Sequence, residues 1–217
     1  MRKDKDKMSF TFNRNIFFRD FSNRSRLTLS TNQLAGLEFL LEKIETDTEY
    51  SMIREISYVL ATIRWETAET FQPIKEKRFN RSTHPKAWEN QDVYWRTGFF
   101  GRGYVQITWE KNYCEAGTWL AGRKFQIFGN EILIEQETLV QNPEFVLDPE
   151  VSYAICANGM RNGWFTGKKL SDFICENIPP DYFNARRIVN GLDHADNIEI
   201  FANQFELILR ASVENQP

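Results

Sequence analysis

The densest group of residues able to bind a polar ligand lies in the run Gly101–Tyr113, GRGYVQITWEKNY. Its two glycines permit a tight turn, and the alternation of polar and apolar residues that follows predicts an extended segment. A period of two puts Tyr104, Gln106 and Thr108 on one face and Val105, Ile107 and Trp109 on the other. The first face would offer a ring, an amide and a hydroxyl to a polar ligand, although an ordinary amphipathic strand with its polar face in water has the same pattern.

Two glutamates could supply acid and base chemistry. Glu66 follows Ile63 by three residues and lies at the margin of the apolar stripe of a predicted helix. Partial loss of water there would raise the pKa of the carboxyl group and suit a general acid. Glu76 lies beyond Pro73 and therefore cannot belong to the same continuous helix. Two carboxylates on separate elements can face each other across a cleft, as glycosidase chemistry requires, although most glutamates are simply surface residues.

Cysteine and histidine usage gives little support to other chemistries. Cys114, Cys156 and Cys175 show no C-x-x-C spacing, so neither a disulfide framework nor a structural zinc site is indicated, and we expect reduced, buried thiols. The only histidines are His84 and His194, and neither H-E-x-x-H nor G-x-S-x-G occurs. We therefore expect no metal and no organic cofactor.

Helical periodicity dominates the elements that must position these residues. The polar residues 30–32 can cap a first helix, and a second helix is expected to end shortly after Phe71 because of Pro73. Residues 75–100 lack clear periodicity and predict a long irregular loop. Residues 148–160, which begin with Asp-Pro-Glu, predict a further helix. The apolar stripes of the first, second and last predicted helices are Leu34, Leu37, Leu41 and Ile44; Ile53, Ile56, Leu60 and Ile63; and Ile198, Phe201, Phe205 and Ile208.

Several ordered motifs resemble one family. Ile63–Phe71, IRWETAETF, resembles the H-E-T-G-G-F region of glycoside hydrolase family 19, the chitinases and phage or prophage endolysins. Gly101–Tyr113 is similar to that family's G-R-G-x-x-Q-L-T/S-W-x-x-N-Y segment and is the most specific match. Asn142–Gly167 and Arg186–Gly191 also look like later blocks of the family. The resemblance covers residues 31–210.

The resemblance implies a mainly α, lysozyme-like fold, two-lobed with a central cleft and little β structure. It implies inverting hydrolysis of β-1,4 bonds in polymers of N-acetylated glucosamine. By position, Glu66 would be the general acid, Glu76 the general base, and Thr108 would help to hold the attacking water. The residues implied in sugar binding are Tyr104, Gln106, Asn112 and Asn190, with Trp109 as a further candidate.

Two positions next to Glu66 depart from the family pattern. Trp65 stands where the family has histidine, and Ala68 and Glu69 stand where it has paired glycines. These departures leave open that the chain is a catalytically inactive, sugar-binding relative. The choice of base is also open, because family members differ in the length of chain between acid and base. Glu89 is the alternative to Glu76.

Charge is unevenly distributed along the 217 residues, whose formal net charge is −3. Residues 1–27 contain eight basic and three acidic side chains, a charge of +5, which leaves −8 for the rest. We therefore divide the chain into a basic N-terminal arm, residues 1–30, and a catalytic domain, residues 31–217. The arm is either a solvated tail or a patch that contacts an anionic polymer. This balance excludes a strongly basic nucleic-acid binder, and no apolar run reaches the length of a membrane span.

Together these features predict an endolysin-type glycosidase that hydrolyses the β-1,4 bond between N-acetylmuramic acid and N-acetylglucosamine in peptidoglycan. A chitinase, acting on polymers of N-acetylglucosamine, is the alternative within the same chemistry. We expect a polysaccharide substrate and a monomer, with no nucleic-acid partner and no membrane insertion. No uninterrupted apolar stretch of the kind found in a secretion signal follows the basic start, so we expect synthesis in the cytoplasm and action on the cell wall after release.

Overall fold

Helices make up most of residues 9–215, the part of the chain that the computed structural model describes. The helices are α1 (Arg14–Ser25), α2 (Thr31–Thr46), α3 (Ile53–Glu66), α4 (Pro85–Trp95), α5 (Glu110–Leu120), α6 (Thr138–Gln141), α7 (Pro149–Asn162), α8 (Tyr182–Ala185) and α9 (Ala195–Ser212). The strands are β1 (Thr11–Phe12), β2 (Ile74–Lys75), β3 (Arg102–Gly103), β4 (Lys124–Ile127), β5 (Asn130–Leu133) and β6 (Val213–Asn215), paired antiparallel as β1–β6, β2–β3 and β4–β5. This content confirms the prediction of a mainly helical fold with little β structure.

The chain divides into two compact units. The first comprises the residues up to Phe71 together with those from Gly159 onward, and the second comprises Gln72–Asn158. In the first unit, α9 packs against α3, α1 and α8. In the second unit, α5 packs against α6, and β3 contacts the 3₁₀ turn Pro143–Leu147. Within residues 9–215 no helix has the length and apolar character needed to span a membrane.

Helix α1 anchors the described part of the basic arm in the first unit. The Asn13 side chain caps this helix by accepting a hydrogen bond from the Ile16 amide, and Phe17 and Phe21 are fully buried. Burial of each phenyl ring contributes about 2 kcal/mol. Arg14 forms ion pairs with Glu38 and Glu45 on α2. A solvated tail is therefore the wrong interpretation of residues 14–25, while residues 1–8, with half of the arm's basic side chains, lie outside the described part.

Helix α3 begins as the sequence predicts but ends five residues earlier than expected. Its last residue is Glu66, and the chain then turns with positive φ at Ala68 (49°) and Glu69 (62°). The Ala68 amide donates to the Trp65 carbonyl and the Glu69 amide donates to the Arg64 carbonyl, which is the hydrogen-bond pattern of a Schellman motif. This motif stops the helix before Pro73 can, and it leaves Glu66 in the last turn.

Helix α4 corrects the prediction of an irregular loop over residues 75–100. Pro85 occupies the first turn, where its missing amide hydrogen costs no hydrogen bond. Of the residues of α4, only Gln91 is buried, so the helix has no apolar stripe that the sequence could reveal. Before it, β2 pairs with β3 in the register Ile74↔Gly103 and Lys75↔Arg102.

The extended segment predicted over residues 104–109 is also wrong. The chain turns after β3, and residue Ile107 comes back to form an antiparallel bridge with Arg102. Gln106 adopts a positive φ of 52° and donates from Nε2 to the Gly103 and Ile74 carbonyls, so its own side chain holds the turn closed. Tyr104, Val105 and Ile107 are all buried as a result, and the expected alternation of faces is lost.

Helix α7 confirms the prediction from the Asp-Pro-Glu sequence. Asp148 Oδ1 accepts a hydrogen bond from the Glu150 amide at 3.0 Å, and Pro149 is the first helical residue. The helix extends to Asn162, two residues beyond the expected end. The start of α7 is therefore determined locally, by its N-cap residue and its first turn.

Candidate active site

Glu66 carries a mostly buried carboxyl group in the first unit. Its side chain is 15% exposed at the end of α3. Burial raises the pKa of Glu66 above its ordinary value, although the nearby Arg186 guanidinium opposes that shift. A carboxyl group with a raised pKa keeps its proton to higher pH, which is the property required of a general acid.

Arg186 holds the Glu66 carboxyl group in place. Its Nη1 donates to Glu66 Oε1 at 2.5 Å, and its Nε donates to the Asp193 carbonyl at 3.0 Å. The Arg186 side chain is only 3% exposed and lies in the 3₁₀ turn Arg186–Ile188 that follows α8. This arginine lies in the family-like block Arg186–Gly191, but the resemblance assigned no role to it. The preceding Tyr182–Ala185 helix and the Asp193 carbonyl together fix the direction in which it points.

Trp65, the residue before Glu66, stacks against the ring of a histidine from a distant part of the chain, His194. The Trp65 ring lies 4.5 Å from the ring of His194, centroid to centroid, and 6.3 Å from that of Phe201. His194 adopts a positive φ of 58° at the start of α9. Aromatic packing between the end of α3 and the start of α9 therefore holds Trp65 in place.

Glu76 is the carboxylate of the second unit, and both of its oxygens accept hydrogen bonds. Oε1 accepts from Gln91 Nε2 at 2.7 Å and from the Tyr94 hydroxyl at 2.6 Å. Oε2 accepts from the Gly101 amide at 2.9 Å, and a Cβ atom at Gly101 would lie only 3.2 Å from that oxygen. The close approach therefore needs glycine at residue 101. Three neutral donors fix the orientation of this carboxylate.

The predicted polar residues of the 106–112 region form one hydrogen-bonded chain in the second unit. Thr108 Oγ1 donates to the Gln106 carbonyl at 3.1 Å, and Asn112 Nδ2 donates to the Thr108 carbonyl at 2.6 Å. Gln106 Oε1 crowds the same face of Gly101 as the Glu76 side chain does. The structure thus brings Gln106, Thr108 and Asn112 together close to Glu76, each partly exposed. Their contacts with water or sugar stay predictions.

The exposure of Tyr104 and Trp109 is the reverse of what the alternation pattern predicts. The Tyr104 side chain has no exposed surface, which disfavours its assignment as a substrate-binding residue. Trp109 is 46% exposed and adopts a positive φ of 74°, an uncommon conformation for a bulky residue. Its ring meets that of Tyr94 edge to face at 5.4 Å. Because Tyr94 donates to Glu76, this exposed indole lies next to the candidate base, a position that the alternation pattern had assigned to the core.

The two remaining candidates are exposed. Asn190 lies in the first unit, where its backbone amide donates to the Arg186 carbonyl at 3.1 Å. Glu89 lies on the exposed surface of α4, and no hydrogen bond or ion pair holds its carboxylate within residues 9–215. The fixed orientation of Glu76 favours it over Glu89 as the base. Which of the two acts as the base stays a prediction.

The described residues contain no group of three or more histidine, cysteine, aspartate or glutamate side chains arranged to hold a metal ion. The three cysteines are free thiols. Cys156 is buried as expected, but Cys114 and Cys175 are half-buried, so the prediction of buried thiols is correct for one of the three. Carboxyl, amide and hydroxyl groups are therefore the chemistry that these residues offer.

Comparison with known proteins relates the fold to one enzyme. No protein-family model and no curated protein matches the chain. Among solved structures, a crystal structure of a mutant of chitinase C aligns with 94% of this chain and 94% of its own, with a TM-score of 0.50 and 21% sequence identity. The chain is similar in fold to chitinase C. At this level of identity the likeness to chitinase C concerns the fold alone, and it agrees with the mainly helical architecture.

Proposed function

We propose that the chain is a glycoside hydrolase that cleaves β-1,4 bonds of peptidoglycan by an inverting mechanism with two carboxylates. The observation that carries this proposal is the contrast between the two glutamates. Burial raises the pKa of Glu66, whereas Glu76 is oriented by three neutral hydrogen-bond donors. An acid that keeps its proton and a base held by fixed donors are the two parts that inversion requires. The fold similarity to chitinase C supports the same class of chemistry.

In this mechanism, Glu66 donates its proton to the glycosidic oxygen as the bond from that oxygen to C1 breaks. Glu76 takes a proton from a water molecule, whose oxygen forms the new bond to C1 on the opposite face of the sugar. Thr108 helps to hold that water, and Gln106, Asn112 and Asn190 bind the sugar. Arg186 keeps the Glu66 carboxyl group in one orientation through the 2.5 Å hydrogen bond. The reaction uses no cofactor, because side chains supply both proton transfers.

The charge of the protein favours peptidoglycan over chitin as the proposed substrate. The segment that carries Glu76 has an excess of basic side chains, and peptidoglycan carries carboxylates whereas chitin is neutral. Chitin is the second candidate, favoured by the likeness to chitinase C. We propose that the protein is made in the cytoplasm and reaches the wall after release.

Mass spectrometry of digested peptidoglycan tests the proposal. The expected products are muropeptides with N-acetylmuramic acid at the reducing end, from the wild type and from Glu89→Gln, but not from Glu66→Gln. Release of oligosaccharides from colloidal chitin, with none from peptidoglycan, would show that chitin is the substrate instead. Binding of either polymer without any cleaved bond would show that the chain is a sugar-binding protein and would refute the enzymatic proposal.

A further inference from the structure

The segment that contains Glu76 and α4 has a charge opposite to that of the rest of its unit. Residues 75–96, here called the α4 segment, contain six basic and three acidic side chains, a formal charge of +3. Residues 97–158 contain four basic and eight acidic side chains, a formal charge of −4. The positive charge of the second unit is thus concentrated in the stretch of chain that carries the proposed base.

Aromatic rings hold two guanidinium groups of the α4 segment. Arg78 lies 4.8 Å and Arg81 lies 4.9 Å from the centroid of the Trp88 ring, and Arg78 is also 5.3 Å from that of Trp95. Stacking on an aromatic ring orients an arginine while leaving its hydrogen-bond donors in the ring plane free to bind an anion. Arg81 is exposed, so its donors face solvent.

The carboxylates of the α4 segment do not neutralise its outer surface. Asp92 is engaged by both Arg78 and Arg96, and Glu76 accepts its three hydrogen bonds from neutral groups. Glu89 is exposed and lies one helical turn from Lys86. No ion pair within residues 9–215 involves Lys77, Arg81 or Lys86, all of which are exposed. Three cations therefore face solvent with one nearby carboxylate.

The α4 segment both holds the proposed base and carries these three exposed cations. Gln91 and Tyr94 of α4 hold Glu76, and Lys77 is the next residue in the chain. Arg81 stacks on Trp88 of the same helix and Lys86 lies in its first turn, so the part of the second unit that holds Glu76 also carries the three cations. Charge complementarity at this position would select an acidic glycan over a neutral one.

We propose that Lys77, Arg81 and Lys86 form a carboxylate-binding surface for peptidoglycan. Its ligands are the free carboxylates of the stem peptides, together with the lactyl carboxylates of those muramic acid residues that carry no peptide. This inference rests on the proposed function in that the glycan must reach Glu76. It assigns to the α4 segment an attraction for the anionic wall.

The test compares two variants with the same change in charge. In the first, Lys77, Arg81 and Lys86 are each replaced by glutamine; in the control, Lys111, Arg123 and Lys124, exposed residues of the same unit, are replaced likewise. Binding to insoluble peptidoglycan stripped of teichoic acid is measured by sedimentation, in a Glu66→Gln background that prevents cleavage. Circular dichroism checks the fold, and the single variant Arg81→Gln provides a milder change.

We expect the first variant to bind about tenfold more weakly at low salt and the control to change less than about twofold. The difference should shrink at about 0.5 M salt, and the wild type should lose affinity for peptidoglycan whose carboxylates have been converted to amides. Affinity for a neutral N-acetylglucosamine hexamer should be the same for both variants. Equal loss in both variants, or undiminished binding to the amidated polymer, would overturn the proposal. If binding depends on the α4 segment but the wild-type chain, which keeps Glu66, releases no muropeptides, the proposed function is refuted and this inference stands.

Discussion

The surroundings of Glu66 and of Glu76 differ in kind. Glu66 ends a 14-residue helix, is mostly buried and is paired with a buried arginine. Glu76 follows a two-residue strand, is partly exposed and is held by an amide side chain, a hydroxyl and a backbone amide. Charge and burial thus determine the state of the first carboxyl group, while neutral hydrogen bonds determine the orientation of the second. The first arrangement suits a proton donor, and the second suits a base that must point at a water molecule.

The largest expected effect tests whether both regions are catalytic. Glu66→Gln and Glu76→Gln should each lower kcat on peptidoglycan by about a thousandfold, since each removes one proton-transfer group. Glu76→Gln should keep the thermal midpoint of the wild type within a few degrees, whereas Glu66→Gln leaves the buried Arg186 without its carboxylate and should lower the midpoint. Glu89→Gln, on the exposed surface of α4, is the control and should keep full activity. If Glu76→Gln is active and Glu89→Gln is not, the base is Glu89.

A change at Arg186 tests the role of charge in the Glu66 region. The guanidinium lowers the pKa of Glu66 against the effect of burial, so Arg186→Met should raise that pKa further. Because the general acid must be protonated, activity is lost as pH rises through this pKa, and the alkaline limb of the pH–kcat profile should move to higher pH. We expect kcat at the optimum to fall by about tenfold through lost orientation. Arg187→Met, at the exposed neighbour, should leave the profile unchanged.

Removal of the Tyr94 hydroxyl tests whether neutral hydrogen bonds orient the Glu76 carboxylate. Tyr94→Phe removes the 2.6 Å hydrogen bond to Oε1 and keeps the ring against Trp109. A hydrogen bond to a charged group contributes about 1.5–3 kcal/mol, so kcat should fall by about tenfold with little change in KM. Tyr104→Phe is the matched control, because the Tyr104 hydroxyl is buried and has no hydrogen-bond partner among residues 9–215. Equal activity of the two variants would show that the hydroxyl does not orient the base.

The exposed indole beside Glu76 should contribute to binding. Trp109→Ala should raise KM for soluble glycan strands by about tenfold, since stacking on an aromatic ring contributes about 1 kcal/mol beyond the buried area. Phe128→Ala, at another exposed aromatic residue of the same unit, should leave KM unchanged. A fall in kcat with unchanged KM would instead indicate that Trp109 acts by positioning Tyr94.

The smallest effect concerns the backbone after Glu66. Ala68 occupies the left-handed position of the Schellman motif, where glycine has no steric penalty. Ala68→Gly should therefore stabilise the protein by about 0.5 kcal/mol, measured by denaturant unfolding, without loss of activity. Ala87→Gly, within α4, should destabilise it by up to about 1 kcal/mol. Destabilisation by both changes would show that the turn at Ala68 carries no strain.

The sequence predicted the elements whose signals are local. The Ser30–Gln33 capping box opens α2, and Asp148 with Pro149 opens α7, each through contacts within a few residues. The early end of α3 was missed because its Schellman motif uses alanine in place of glycine. The turn at residues 104–107 was missed because a glutamine side chain, and not a glycine, closes it.

Within the candidate site, residue types were easier to predict than exposure. Position and family resemblance made Glu66 and Glu76 candidates, but they did not predict the Arg186 hydrogen bond to Glu66, which joins residues 120 positions apart in the chain. Tyr104 and Trp109 were assigned to the wrong environments because period-two reasoning presumes an extended backbone. Gln106 and Trp109 instead have positive φ, which neither residue type predicts.

The stereochemistry of the first product tests the two-carboxylate account most directly. Soluble peptidoglycan glycan strands are digested in an NMR tube, and the anomeric proton of the new reducing end is followed before mutarotation. Water activated by Glu76 attacks opposite to the oxygen protonated by Glu66, so the β-linked substrate should give the α-anomer first. Initial formation of the β-anomer would contradict the account, because retention requires a covalent intermediate and a different use of the two carboxylates.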